Sequence, residues 1–178
     1  MELIGEEIIP GSPEDVWAAL TDPEVLHRCI PGCNVLVREN SQAYSLEVVF
    51  KMGPAEPRFR GRMTIEDPDY PHSYTLKAFG QDASASDAIG QAHLVLQPVS
   101  GKLATTRLGY RMVIGIRGSL ARLGEKLIHL VAKRMTLTFF RRFQEINRPV
   151  AATNAEEPTD EEVQRLIEQA LRGEDWQR

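Results

Sequence analysis

Hydrophobic residues recur at every second position through much of the first 116 residues, and at every third or fourth position after Gly118. The first spacing is that of half-buried β-strands, and the second that of an amphipathic helix. Residues 2–9 predict a first strand, closed by Pro10-Gly11-Ser12. Two short helices follow. Ser12 can cap the first, whose opening turn holds Pro13, Glu14 and Asp15, with Val16, Trp17 and Leu20 on its apolar face. Asp22 and Pro23 open the second, which carries Val25, Leu26 and Ile30 and stops at Pro31-Gly32.

Strands are then predicted at 35–38 and 43–52, the latter with Tyr44, Leu46, Val48, Phe50 and Met52 on one face. The next strand turns Phe59, Gly61, Met63 and Ile65 inward and Arg58, Arg60 and Arg62 outward. Three more follow at 74–81, 85–97 and 102–116, with Leu108, Tyr110, Met112 and Ile114 on one side of the last. Gly80, Gly90 and Ala92 leave room on the inner face.

A long helix is predicted from Gly118-Ser119 to about Ile146. Leu120, Leu123, Leu127, Val131 and Leu137 form its buried arc, widened by Ile128, Leu130 and Met135. Phe140 falls on the outer arc with Arg122, Lys126 and Lys133. This order of elements predicts an α+β helix-grip fold: a curved seven-stranded antiparallel sheet around a long C-terminal helix, with two short helices after the first strand. One domain is expected over residues 1–149. Residues 150–178 are expected to form an acidic linker and a short amphipathic helix. Thr159 can cap that helix, with Val163, Leu166, Ile167, Ala170 and Leu171 expected on its apolar face.

Charge sharpens this division. Residues 1–150 hold 18 Lys and Arg against 17 Asp and Glu, whereas residues 151–178 hold 3 against 8. A near-neutral body with an acidic tail argues against a nucleic-acid partner. The tail helix has no basic rim, so an anionic membrane would repel it. No apolar run approaches the roughly 20 residues of a membrane span. The N-terminus, MELIGEE, lacks the basic and apolar regions of a secretory signal. Two cysteines provide no disulfide framework, and a cytoplasmic location is expected.

Catalytic signatures are missing from the sequence: there is no phosphate loop, nucleophile elbow, Cys-x-x-Cys or His-Glu-x-x-His. Cys29 and Cys33 lie near His27, but no second pair of ligands completes a metal site, so packing as small apolar residues at a cavity rim is the better reading. His72, His93 and His129 are scattered at surface positions, and His27 is the one nearest a cavity mouth. No cofactor or metal is expected.

The strongest functional signal is the inward apolar stripe. Trp17, Leu26, Ile30, Phe50, Met52, Phe59, Met63, Tyr74, Tyr110, Met112, Leu127 and Val131 are the candidate ligand-binding residues. Any one of them is most simply a core residue. Together, on a sheet bent around one helix, they suit a cavity for a flexible lipid or an apolar ring. The turns Cys29-Ile30-Pro31-Gly32-Cys33 and Lys51-Met52-Gly53-Pro54 are expected at its mouth. Outward Lys51, Arg58, Arg60, Arg62, Lys77, Arg107 and Arg111 form a charged face, either simply solvated or used for docking.

The run DVWAALTDPEVLHRCIPGC resembles the signature of the carbon monoxide dehydrogenase G-subunit family, within the START-like (SRPBCC) superfamily. The resemblance continues through Lys51-Met52-Gly53-Pro54, Phe59-Arg60-Gly61, Ser73-Tyr74-Thr75-Leu76, and Arg107-Leu108 with Tyr110, and ends near Phe143. It implies a non-enzymatic accessory protein that brings a carbon monoxide dehydrogenase-type molybdenum hydroxylase to the inner face of the cytoplasmic membrane. It also implies a pocket for a membrane-derived ligand such as a quinone. Two alternatives stay open: a general lipid or hydrophobe carrier, and a cyclase or hydratase-type enzyme on the same fold. A homodimer is compatible with either.

Overall fold

The structure is a computed structural model and describes residues 1–51, 56–101 and 104–148. The acidic tail and Met52 therefore lie outside the described residues. Strand β1 (Glu2–Pro10) leads into helices α1 (Pro13–Thr21) and α2 (Pro23–Cys29). Six strands follow: β2 (Cys33–Asn40), β3 (Ala43–Val49), β4 (Arg58–Asp69), β5 (Ser73–Gln81), β6 (Asp87–Pro98) and β7 (Thr105–Arg117). They form one antiparallel sheet in the order β1-β7-β6-β5-β4-β3-β2. A 3₁₀ turn (Ser119–Leu123) and the long helix α3 (Glu125–Ile146) follow β7. This is the helix-grip α+β fold.

Local chemistry sets the entry to the site. Ser12 and Asp15 form a reciprocal capping box at α1, and the Asp22 carboxylate accepts from the amides of Glu24 and Val25 at α2. The Tyr44 hydroxyl donates to the Thr21 carbonyl at 2.7 Å, and the Arg38 guanidinium donates to the same oxygen. The junction of the two short helices is thereby tied to the sheet. Gly32 has φ +72°, and a Cβ there would lie 2.0 Å from the Val49 carbonyl oxygen. That contact, with the Val49 amide donating to the Gly32 carbonyl at 2.9 Å, brings the turn after α2 to the end of β3.

The core sits between the concave face of the sheet and the helices. Ile9, Val16, Tyr44, Tyr74, Leu96, Leu108 and Phe143 are among its fully enclosed members. On the convex face the arginines and Lys77 are exposed as expected, but they are paired. Glu47 holds both Arg58 and Arg60, Glu39 holds Arg62, Glu66 holds Lys77, Glu6 holds Arg107 and Glu2 holds Arg111. Exposed pairs of this kind add little stability, yet they neutralise the face.

The long helix departs from expectation in two ways. Gly124, at φ +90°, separates the 3₁₀ turn from α3, so the α-helix begins at Glu125 rather than at Ser119. The 3₁₀ turn is held by a serine cluster, in which the Oγ atoms of Ser84 and Ser86 lie 3.0 and 2.9 Å from that of Ser119. The buried arc is also rotated. Phe140 and Phe143 are buried and Phe139 packs with them, whereas Leu123, Leu130 and Leu137 are 43%, 36% and 55% exposed. Phe140 is thus an inner residue, and Leu137 an outer one. Aromatic bulk against Tyr110 and the α2 region decides the helix phase, and the leucines follow.

Candidate functional site

Between the sheet and the middle of α3 lies an unsealed cavity of about 220 Å³. Its floor is built from alternate residues of five strands: Tyr44 from β3, Met63 and Ile65 from β4, Tyr74 and Leu76 from β5, Ala92 and Leu94 from β6, and Tyr110 and Met112 from β7. Period-two alternation brings these side chains to one face. Leu20, Leu26, Ile30 and Pro31 close one side, and Met135, Thr136, Phe139 and Phe140 of α3 form the roof. Small residues on β6 create the space. Ala92 lines the cavity, and a Cβ at neighbouring Gly90 would meet nothing within 4 Å.

Six of the candidate residues, Leu26, Ile30, Met63, Tyr74, Tyr110 and Met112, come together on the lining. Five others lie elsewhere. Trp17 packs edge-on against Tyr74, with centroids 4.8 Å apart, one layer behind the wall. Phe50 and Phe59 pack edge to face on each other at 5.3 Å, beyond the lining. Leu127 and Val131 occupy the first two turns of α3, before the segment that roofs the cavity. Met52 lies outside the described residues, as does the rest of its turn through Pro54. Ile30 and Pro31 of the other expected mouth turn do line the cavity.

The other eleven lining residues were not among the candidates: Leu20 and Pro31 beside α2, Tyr44, Ile65, Leu76, Ala92 and Leu94 on the strands, and Met135, Thr136, Phe139 and Phe140 on α3. Tyr44 shares the inward stripe of β3, so its position was legible. The α3 residues required the correct helix phase, for which the Phe139-Phe140…Phe143 cluster was the available signal.

Among the described residues, the lining contains no Asp, Glu, His, Lys or Arg. Its polar side-chain atoms are hydroxyls. Tyr44 donates to the Thr21 carbonyl, and Thr136 donates to the Ala132 carbonyl at 3.0 Å. The hydroxyls of Tyr74 and Tyr110 complete the set. Burial pushes the Tyr74 phenol well above its ordinary range, and burial, with a smaller contribution from the Glu7 carboxylate, also raises Tyr110. Both phenols are neutral at neutral pH, as an unshifted tyrosine also is. Tyr110 is oriented by stacking on Phe140 at 4.9 Å, and its ring lies over Gly5, where a Cβ would fall 2.2 Å from the hydroxyl oxygen. Glu7 sits beside this stack and accepts from Gln144 Nε2 at 3.0 Å; burial raises its carboxyl.

Other chemistry is sparse. Cys29 is buried and Cys33 half-buried, both as free thiols. His27, His72, His93 and His129 do not line the cavity. Among the described residues no cluster of His, Cys, Asp and Glu could hold a metal ion. No described helix is long and apolar enough to cross a membrane. A second, shallower hollow is lined by Glu56, Arg58, Arg60, Gln81 and Asp82, but both arginines are already committed to Glu47.

Comparison with known proteins agrees with this geometry. The family model for CoxG, the carbon monoxide dehydrogenase G-subunit, matches residues 5–146. No curated protein sequence matches the chain. Among solved structures, a conserved protein from Geobacillus kaustophilus superposes with a TM-score of 0.75 at 23% identity, covering 83% of this chain and 95% of its own. An aromatase/cyclase from Streptomyces gives 0.60 at 9% identity, covering 86% and 99%. A START superfamily protein from Mycobacterium smegmatis gives 0.59 at 10%, covering 82% and 95%. At these identities the structural likenesses establish the fold alone.

Proposed function

Because the chain belongs to the CoxG family of carbon monoxide dehydrogenase accessory proteins, we propose that it is a non-enzymatic accessory protein carrying an apolar, carbonyl-bearing ring, of which an isoprenoid quinone is the best example. In this reading it serves a carbon monoxide dehydrogenase-type molybdenum hydroxylase at the inner face of the cytoplasmic membrane. The observation that carries the ligand class is the lining: almost entirely carbon, with the phenols of Tyr74 and Tyr110 as neutral donors. Apolar pockets with a few placed polar groups bind such molecules by burial and orient them by hydrogen bonds. A cavity of about 220 Å³ accommodates a ring, and its unsealed side lets a longer tail leave toward solvent or lipid. The methionines Met63, Met112 and Met135 can adjust to the shape of the occupant.

The lining favours a carrier over an enzyme. Cyclisation or hydration needs acid and base groups that move a proton at the substrate, and among the described residues the lining offers phenols but no Asp, Glu, His, Lys or Arg. The partner enzyme, the membrane and the choice of a quinone come from the family, and the apolar lining of the cavity supports a ligand of that kind.

The test is titration of the purified protein with a short-chain quinone, followed by Trp17 fluorescence. Trp17 touches the lining residue Tyr74, so an occupied cavity should quench it saturably, with no effect of chelators. Quenching by aliphatic lipids but not by quinones would instead indicate a general hydrophobe carrier. Failure of every apolar ligand to bind would overturn the carrier reading.

A further inference from the structure

Helix α3 carries a second apolar face, on its outside, that begins in the preceding 3₁₀ turn. Leu123 and Leu130 are 43% and 36% exposed and Leu137 is 55% exposed. Half-buried Leu127 falls between them. At 100° per residue Leu127, Leu130 and Leu137 fall on one stripe of α3, opposite Phe139 and Phe143, while Leu123 lies before the Gly124 break. Lys126 and Lys133 run along one side of it, and Arg134 and Arg141 fall within it. Residues 122–148 hold seven Lys and Arg against two acids, Glu125 and Glu145. The outer face of α3 thus combines exposed leucines with excess positive charge.

We propose that this face is the docking site of the chain's own acidic C-terminal segment, residues 159–171. Three features of the chain support that occupant. Residues 151–178 hold eight acids against three bases, the opposite sign to α3. Val163, Leu166, Ile167, Ala170 and Leu171 recur at the spacing that pairs with a leucine stripe of period three and four. The third feature is reach. The described chain ends at Arg148, eleven residues past Leu137, a distance of roughly 17 Å at 1.5 Å per helical residue. The ten residues 149–158 can span up to about 33 Å. A segment returning antiparallel along α3 therefore reaches Leu137 and Leu130 within its own chain. A helix this short is marginal in water and needs such a surface to form.

Hydrogen exchange on the full-length protein tests this. Amides 160–172 should exchange at least tenfold more slowly than in the doubly substituted Leu130→Asp, Leu137→Asp protein, at every protein concentration. Core strands β5 and β6 should exchange identically in both, showing that the variant is folded. A second variant, Lys126→Glu with Lys133→Glu, should also speed tryptic cleavage at Arg165 and Arg172 several-fold. Four results would overturn the proposal: no protection in the unaltered chain, protection unchanged by either pair of substitutions, protection that grows with protein concentration (a second copy), or protection that appears only with anionic vesicles (a lipid surface).

Discussion

The two ends of α3 belong to one helix and meet different surroundings. From Phe139 to Ile146 the helix is rich in aromatic residues and is packed into the core, with Phe140 and Phe143 buried and Phe139 and Phe143 stacked at 5.9 Å. From Glu125 to Leu137 it is rich in leucine, yet Leu130 and Leu137 face outward. Its inner side there contributes Met135 and Thr136 to an unfilled cavity. Apolar content alone therefore does not say which half is structural. Phe143 and its neighbours anchor the helix, while Met135 and Thr136, joined by the faces of Phe139 and Phe140, border the space that a ligand can use. Substitutions in the two halves should separate stability from binding.

The largest effect is expected in the packed half. Phe143→Ala removes a fully enclosed ring and should cost about 3–5 kcal/mol. Thermal denaturation should show a fall on the order of 10 °C. A loss below about 1 kcal/mol would mean that the C-terminal half is not the anchor.

Cys29 of α2 belongs to the same packed end, beside Arg142 and Glu145. Burial pushes its thiol up to about 11. The folded protein then keeps a proton that the unfolded chain releases near pH 9. The contribution is fully present below that pH and is lost as pH rises toward 11. Urea denaturation between pH 8 and pH 11 should show a steeper alkaline loss of stability for the unaltered protein than for Cys29→Ala. Parallel curves would mean that the thiol is open to solvent.

On the cavity wall beneath α3, binding should change more than stability. Ala92→Leu extends a side chain into the space beneath α3 and should weaken quinone binding at least tenfold, while stability shifts by less than about 1.5 kcal/mol. Tyr110→Phe keeps the stack on Phe140 and removes the hydroxyl. A lost hydrogen bond of about 0.5–1.5 kcal/mol predicts a twofold to tenfold weaker affinity for a carbonyl-bearing ring and no change for a hydrocarbon. Equal effects on both ligands would place the hydroxyl away from the bound oxygen. Last, Leu137→Gln should alter core stability by less than about 0.5 kcal/mol. A larger loss would show that the outer leucine contributes to the fold.

Much of this architecture was legible in the order of residues. Ser12 and Asp22 announce two helix starts with their own side chains, and both caps form. The alternation in β3 to β7 determines which residues face the concave side, so Met63, Tyr74, Tyr110 and Met112 could be named as neighbours before their strands were paired. These are local properties: a cap needs three residues, and a strand's two faces follow from the period of the pleat.

The phase of α3 and the walls of the cavity were decided by tertiary structure. A helix with apolar residues on two sides has no single buried arc, and its rotation depends on which side chains fill the available volume best. Phe139, Phe140 and Phe143 fill the space against Tyr110 and α2, and this choice turns Leu130 and Leu137 outward. Phe59 of β4 faces inward and is buried, yet it packs on Phe50, just past the end of β3, outside the lining. Facing the concave side is a property of the strand. Touching the cavity depends on how far the helix stands off at that point, and only the packed chain settles that distance.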